Sequence, residues 1–410
     1  MRDSKRTGRV ENPAQPGKLI FVGMSMQNLL FTDCVDLVGM ACTPFDGTRK
    51  YVSTGAVDTD RINEADVEIV DYLGKPSRAN LVVSSGDVLF AKMQGTKKTL
   101  LIDEQLAHHI YSTGFCAVHA RSGLLTNRCL YHILSSQMFL AQKDKNCSGA
   151  TQKAITNAGL EKIQLRVPDI NEQDRIADQL DSIVSILEKR QKQLSALDDF
   201  IKARFVEMFG DPVQNEKGWQ TKALEDACKS IVDCPHSTPS YTSEDTGFMC
   251  IRTSIVKKNR IMWEDIEYIP EEEYIQRIQR KKPEKGDVVY TREGAILGIA
   301  AVIDRDCNVA LGQRSMLLSP DRAFCTPEFI SVAMNFDSFL DNALKGMSGS
   351  ASPHINVGDI KAFKMILPPI AQQEAFSTFV AQIDKSKSVI QKSLDETQLL
   401  FDSLMQQYFG

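Results

Sequence analysis

Long apolar runs are missing from this 410-residue chain. The most continuous one, residues 295–303, is broken by Gly298 and falls well short of the ~20 residues a membrane-spanning helix requires. Cysteine pairing is missing too. The ten cysteines, at 34, 42, 116, 129, 147, 228, 234, 250, 307 and 325, include no C-x-x-C pair and read as buried thiols in a reducing compartment. The opening segment has Pro13 and Pro16 but no apolar core of a signal peptide, so residues 1–18 are expected to be a flexible leader and the protein cytoplasmic. Positive charge is scarce: 48 Lys and Arg face 53 Asp and Glu, a net of −5, which does not by itself suggest nucleic acid.

Reaction machinery is absent as well. No Asn/Asp-Pro-Pro-aromatic tetrapeptide occurs, since Leu367-Pro368-Pro369-Ile370 lacks the required ends, and there is no G-x-x-x-x-G-K-S/T phosphate loop. The run from Gly294 to Gly298 lacks the third glycine of a dinucleotide-binding turn. The histidines at 108, 109, 119, 132, 236 and 354 show no metal-ligand spacing, so neither a metal nor a cofactor is expected in this chain. With 42% apolar and 25% charged residues the chain is an ordinary globular protein, long enough for two or three domains. A binding or assembly subunit fits better than an enzyme with an unfamiliar active site.

What is present is a repeat. Residue n resembles residue n+200 at several separated places. Gly86-Asp87-Val88-Leu89-Phe90 matches Gly286-Asp287-Val288-Val289-Tyr290, and Ser148-Gly149 matches Ser348-Gly349. Ile155 matches Ile355, Pro168-x-Ile170 matches Pro368-x-Ile370, Gln173 matches Gln373, and Phe209-Gly210 matches Phe409-Gly410. The chain is therefore expected to be a tandem duplication, each unit a mixed α+β globular domain followed by a long helix. The expected boundaries are 19–170 and 211–368 for the domains, and 171–210 and 369–410 for the helices.

Heptad spacing marks those helices. Ile176, Leu180, Ile183, Leu187, Leu194, Leu197 and Ile201 form one apolar stripe, interrupted by Arg190 and Arg204. Phe376, Val380, Ile383, Ile390, Leu394, Phe401 and Leu404 form the second, interrupted by Lys387 and Thr397. Asn171 is the expected N-cap of the first helix and Gly210 its stop. The two stripes are expected to pair as an antiparallel coiled coil, which spares the intervening domain from spanning ~57 Å of helix; the alternative is that each helix packs on its own domain. Residues 127–141 and 326–344 are expected to be shorter helices.

The succession of motifs in the second unit resembles the specificity subunit of Type I restriction-modification systems. It runs Lys217-Gly218-Trp219-Gln220, Cys234-Pro235-His236-Ser237-Thr238-Pro239-Ser240-Tyr241, then Phe248-Met249-Cys250-Ile251-Arg252-Thr253. Next come Lys285-Gly286-Asp287-Val288-Val289-Tyr290-Thr291-Arg292-Glu293-Gly294 and Ala310-Leu311-Gly312-Gln313-Arg314-Ser315, and it closes with Ser348-Gly349-Ser350-Ala351-Ser352 and Leu367-Pro368-Pro369-Ile370-x-x-Gln373-Glu374. The first unit departs from this pattern: no Pro-His-x-Thr-Pro element precedes Lys92, and residues 19–72 match little. The resemblance implies a non-catalytic subunit whose two globular target-recognition domains each read one half of a bipartite, asymmetric site in double-stranded DNA, with the helices setting the spacer. It also implies two methyltransferase subunits as partners, restriction-translocase subunits joined through them, no membrane, and S-adenosylmethionine, ATP and Mg in those partners only. A coiled-coil scaffold that binds proteins alone is the alternative reading.

Candidate DNA contacts follow from the repeated loops. In the first unit they are Lys92, Gln94, Lys97, Lys98, Lys145, Ser148, Thr151 and Lys153. In the second they are His236, Thr238, Tyr241, Arg252, Arg292, Arg314, Ser348, Ser350, Ser352 and His354. Arg and Gln pair with base edges, whereas Lys and Ser more often hold phosphates. Only residues 1–170 carry more basic than acidic side chains, 20 against 17, so the isolated chain is expected to hold DNA weakly.

Overall fold

Two helices of 40 residues, Ile170–Phe209 and Ile370–Phe409, organise the chain. The computed structural model describes residues 25–345 and 354–410; the expected leader 1–18 and the candidates Ser348, Ser350 and Ser352 lie outside them. The chain divides into two compact units, residues up to 189 with 394–410, and residues 190–393, so each long helix is shared between both.

The duplication extends to strand pairing. In unit one, the strands Thr99–Leu101, Val88–Ala91, Phe115–Ala120 and Val35–Val38 lie side by side in that order, all antiparallel. In unit two the strands Cys228–Asp233, Ser315–Pro320, Val288–Thr291 and Ala300–Val302 form the equivalent antiparallel sheet. A second sheet in each unit holds one parallel pair: Ile110–Ser112 beside Arg49–Val52 in unit one, and Val309–Leu311 beside Met249–Ile251 in unit two. Residues 19–72, which match little by sequence, thus supply a strand to the same topology. Both parallel strands end in two buried residues, Tyr51 and Val52 or Cys250 and Ile251, while side-chain identity is not kept, because a strand position asks mainly for fit to a pleated, partly buried surface.

The expected helices 127–141 and 326–344 are each two helices. Ser136 ends Asn127–Ser135 in extended conformation, and its hydroxyl caps Gln137–Lys145 by accepting from the Phe139 N–H. In unit two the break falls at Asn335 and Phe336, where the buried Asn335 amide donates to the carbonyls of Ala300 and Ser331. The first long helix starts one residue earlier than the sequence suggests. The cap is Asp169, whose carboxylate accepts from the Asn171 N–H, and Asn171 lies inside the first turn.

A repeated glutamine explains why Pro168 and Gln173 recur at 368 and 373. Gln173 and Gln373 are fully buried. Each accepts from the N–H of a helix-capping threonine, Thr126 at 2.8 Å and Thr326 at 3.1 Å. Each then donates to two carbonyls, those of Leu124 and Pro168 or of Phe324 and Pro368. A buried amide is tolerated only when its donors and acceptor are all met, and here that condition welds the long helix to its domain. In unit one a second clamp is ionic: Arg128 and His132 both bond the Asp181 carboxylate. Burial works against its ionisation, but those hydrogen bonds hold the Asp181 carboxyl below its ordinary range.

The helices pair antiparallel. In unit one, Ile176, Leu180, Ile183 and Leu187 share a core with Phe401, Leu404, Met405 and Tyr408, and the Tyr408 hydroxyl bonds Gln179 at 2.8 Å. In unit two, Ile201, Phe205 and Phe209 pack with Phe376, Val380 and Ile383. There Arg190 donates to the Ser393 carbonyl and Lys387 pairs with Asp198, so rising numbers on one helix meet falling numbers on the other. Two of the four residues that interrupt the stripes, Arg190 and Lys387, therefore make polar links between the helices, while Arg204 pairs with Glu207 on its own helix. Leu194 is buried, whereas Leu197, Ile390 and Leu394 are only half-buried, so the seam is densest where it also joins a domain core. The heptad stripe and packing on the domain are one surface.

Candidate nucleic-acid interface

In unit one the turn after the strand Val88–Ala91 is held by its main chain. The Lys92 N–H donates to the Gly114 carbonyl, and the Lys92 carbonyl accepts from the Ile155 N–H, both at 2.9 Å. The Gln94 N–H reaches the Lys153 carbonyl, and Ser148 and Ala154 exchange two hydrogen bonds at 3.0 Å. Lys92, Gln94, Lys97, Ser148, Thr151 and Lys153 are thereby gathered on loops that touch one another, with Lys145 at the end of the helix Gln137–Lys145 that leads into them. All of these but the half-buried Lys92 are exposed. Lys98 is different: its ammonium donates to the Thr54 carbonyl at 2.7 Å.

The anchor of this cluster is a residue that sequence reasoning passes over. Lys143 is 1% exposed, and its ammonium donates to the carbonyls of Met93 at 2.9 Å and Thr96 at 2.8 Å, with that of Ala91 at 3.4 Å. Its neighbour Asp144 accepts from the Gly95 N–H and lies 3.3 Å from the same ammonium. A helical lysine followed by Asp and Lys looks like solvated surface, so no local signal reveals it. Lys143→Met should strand those carbonyls and cost about 1–3 kcal/mol. Hydrogen exchange would show it as faster exchange at the Gln94 and Gly95 amides; unchanged protection there would remove Lys143 from this role.

Unit two builds the same main-chain cradle with other side chains. The Arg292 N–H donates to the Arg314 carbonyl at 3.0 Å, and the Arg292 carbonyl accepts from the Ile355 N–H at 2.8 Å, each partner 200 residues from its counterpart. Arg292, however, is only 6% exposed and its guanidinium is turned inward onto Asp233, with Nε to Oδ1 at 3.0 Å and Nη2 to Oδ2 at 3.1 Å. Asp233 also meets His236 at 3.1 Å, and its carbonyl accepts from Arg280. Arg292 is thus placed to hold the loop, and the side chains at the surface are His236, Thr238, Arg314 and His354. Thr238 donates to Gln313 at 3.2 Å, and His354 bridges Glu293 through the main chain.

Tyr241 and Arg252 form a separate knot. Arg252 lies over the Tyr241 ring at 5.2 Å and pairs with Glu267 at 3.1 Å, while burial pushes the Tyr241 hydroxyl pKa upward. A further buried arginine, Arg277, donates to Glu273, to the Leu311 carbonyl and to Ser237, fixing the 234–240 loop from below. Its place in a run of basic residues looks like surface charge in the sequence.

Among the described residues of these loops nothing is arranged as a nucleophile beside a base. Burial pushes the Cys116 thiol up to about 11, and Cys129, Cys250 and Cys325 up to about 12, so these are not thiolates at neutral pH. Among the described residues no group of three or more His, Cys, Asp or Glu side chains comes together as a metal site. Among them also, no helix is long and apolar enough to cross a membrane. Hydrogen bonds and charge are the chemistry that these surfaces offer.

Comparison with known proteins agrees with that chemistry. The sequence model of the family described as Type I restriction modification DNA specificity domain matches residues 41–196 and again 216–397. The chain is similar to the Type I restriction enzyme EcoKI specificity subunit of Escherichia coli (strain K12), 22% identical over 347 residues that span 79% of this chain and 73% of that protein. It is also similar to the Type I restriction enzyme MjaVIII specificity subunit of Methanocaldococcus jannaschii, 20% identical over 339 residues, 79% of this chain and 78% of that one. Among solved structures, the S subunit of a Type I restriction-modification system from M. genitalium superposes with a TM-score of 0.56 at 14% identity, covering 96% of this chain and 98% of that chain. A chain from a study of complex assembly and conformational transition of the type I R-M system gives 0.52 at 20% identity, covering 94% and 98%. Those two structures share its fold.

Proposed function

This chain belongs to the Type I restriction-modification DNA specificity family, whose model matches it twice, and on that premise we propose that unit one and unit two read different half-sites of one bipartite duplex target. The protein is the DNA sequence-recognition subunit of a Type I restriction-modification complex and carries no catalytic site of its own. It acts with DNA and with the other subunits of that system. Two methyltransferase subunits docked on the duplicated scaffold, with restriction-translocase subunits joined through them, suit a chain with two equivalent units. S-adenosylmethionine, ATP and Mg belong to those partners, and the cytoplasm is where such a complex meets DNA.

The observation that carries the two-half-site reading is the matched cradle. Lys92 with Gly114 and Ile155 and, 200 residues on, Arg292 with Arg314 and Ile355 keep the same main-chain bonds while the exposed side chains change. One scaffold with two sets of side chains presents two different hydrogen-bonding patterns to base edges. The antiparallel long helices then act as the ruler. Inserting seven residues at matched positions in both should lengthen the unread spacer by about three base pairs, since ~1.5 Å per helical residue is set against ~3.4 Å per base step. Both half-sites should stay as they were.

The test is to assemble the chain with its methyltransferase partner and map methylated sites before and after the insertion. An unchanged spacer overturns the ruler. Methylation without sequence preference would favour a scaffold that binds proteins alone.

A further inference from the structure

We infer that Arg314 is the base-reading residue of unit two and that the base it reads is a guanine, approached through the major groove. The inference rests on the two-half-site reading and adds the residue, the base and the division of labour between Arg314 and Arg292.

Backbone strain is the first observation. Arg314 has φ +70°, one of four non-glycine residues with positive φ among the described residues, beside Thr59, Asn215 and Asn259. Asparagine tolerates this region through its short polar side chain; arginine has no such compensation. The counterpart 200 residues earlier is Gly114, whose carbonyl takes the Lys92 N–H as that of Arg314 takes the Arg292 N–H. Gly114 is not among the glycines with positive φ, and an added Cβ there would meet Thr54 Cγ2 at 2.9 Å, so unit one makes this bond from a backbone that is not left-handed and has no room for a side chain. The bond itself asks only for a carbonyl, so neither the positive φ nor the guanidinium at 314 is needed to make it.

Availability is the second. Every other arginine of this face is committed: Arg252 to Glu267, Arg277 to Glu273 and Ser237, Arg280 to the Asp233 carbonyl, Arg292 to Asp233. Arg314 is exposed and has no hydrogen bond or ion pair from its side chain among the described residues. Its guanidinium also has a seat. Gly294, at φ +92°, would place any added Cβ 3.4 Å from Arg314 Nη1, so the side chain lies flat across a glycine that leaves room for it. The buried Arg292–Asp233 pair fixes the strand end from which this seat projects, and the Thr238–Gln313 bond steadies the residue before it.

Chemistry selects the base. A guanidinium is a planar fork whose parallel N–H groups match guanine O6 and N7, the commonest sequence-specific contact in the major groove. A phosphate needs only a point charge, which a lysine on a relaxed backbone supplies without strain. Arg292 is accordingly a positioning residue and Arg314 the reader.

The experiment uses the full chain assembled with its methyltransferase subunits and maps the methylated sites of wild type, Arg314→Gly and Arg314→Lys. Glycine removes the guanidinium and relaxes the positive φ, so the turn survives; lysine keeps the charge and loses the fork. The expected result is that one guanine position of one half-site becomes degenerate in both variants, with discrimination there falling roughly 10–100-fold, while the other half-site and the spacer are unchanged. Uniformly weaker methylation of an unchanged motif would make Arg314 a phosphate contact and overturn the inference. Relaxation at a base other than guanine, or no change, would overturn it too. A wild-type complex with no bipartite motif would instead fail the two-half-site reading itself.

Discussion

Phe205→Ala should destabilise unit two by about 3–5 kcal/mol through lost packing. The ring is fully buried, and its centroid lies between 5.0 and 5.5 Å from those of Phe209, Phe329, Phe336 and Phe376. Those four come from the same long helix (Phe209), from a helix of the domain (Phe329), from the break that follows it (Phe336) and from the partner helix (Phe376), so one side chain joins three parts of the unit. Truncation removes the transfer term, leaves a cavity that rigid neighbours cannot fill, and breaks several aromatic pairs worth about 0.5–1.5 kcal/mol each. For a unit of this size the thermal midpoint should fall by roughly 6–20 °C. The counterpart in unit one is Met405. Phe205→Met therefore imports a residue that the sister unit already uses and should cost under about 1.5 kcal/mol. Calorimetry on the full chain decides the matter: equal losses for the two variants would mean that the site collapses freely and that the aromatic cluster does not hold the helix.

Asp233→Ala is expected to cost about 3–5 kcal/mol by a different route. It leaves the Arg292 guanidinium, whose side chain is 7% exposed, buried without its counter-ion. Asp233 also ends the strand Cys228–Asp233 and meets His236, so the loop carrying His236 and Thr238 loses its root. The effect should depend on the partner. Replacing both residues by apolar ones, Asp233→Leu with Arg292→Met, should recover stability to within about 1 kcal/mol of the wild type, because a buried ion pair seldom exceeds a packed apolar pair in stability. A double-mutant cycle in urea measures this. Additive losses would show that the pair is not coupled and that Arg292 is free to turn outward to DNA. That outcome would also return Arg292 to the set of direct contacts.

The sequence made several features plain because they are local or periodic. Heptad spacing located both long helices to within a residue or two, since an apolar stripe at 3.5-residue spacing has few other uses. The offset of 200 residues marked Gln173 with Gln373 and Pro168 with Pro368, and the structure supplies their reason: a buried amide satisfied by a capping threonine and two carbonyls. Other features stayed hidden. Lys143 and Arg277 look like solvated charges, yet both are buried and hold loops through main-chain carbonyls. Residues 19–72 showed little likeness to unit two, yet Arg49–Val52 takes the parallel place that Met249–Ile251 holds there.

From its amino acids alone, then, the chain is a duplicated α+β protein with two heptad-bearing helices, whose ordered motifs resemble a Type I specificity subunit. Those traits depend on spacing along the chain, where each residue's contribution is visible without knowing its neighbours in space. The roles of individual charges are not legible in that way. Whether an arginine faces water or a carboxylate depends on a residue 59 positions away, as for Arg292 and Asp233. The cost of an unpaired buried charge then makes the choice between the two nearly all-or-none. Folding turned Arg292 inward and left Arg314 exposed on a strained turn, and that difference separates a residue that supports recognition from one placed to perform it.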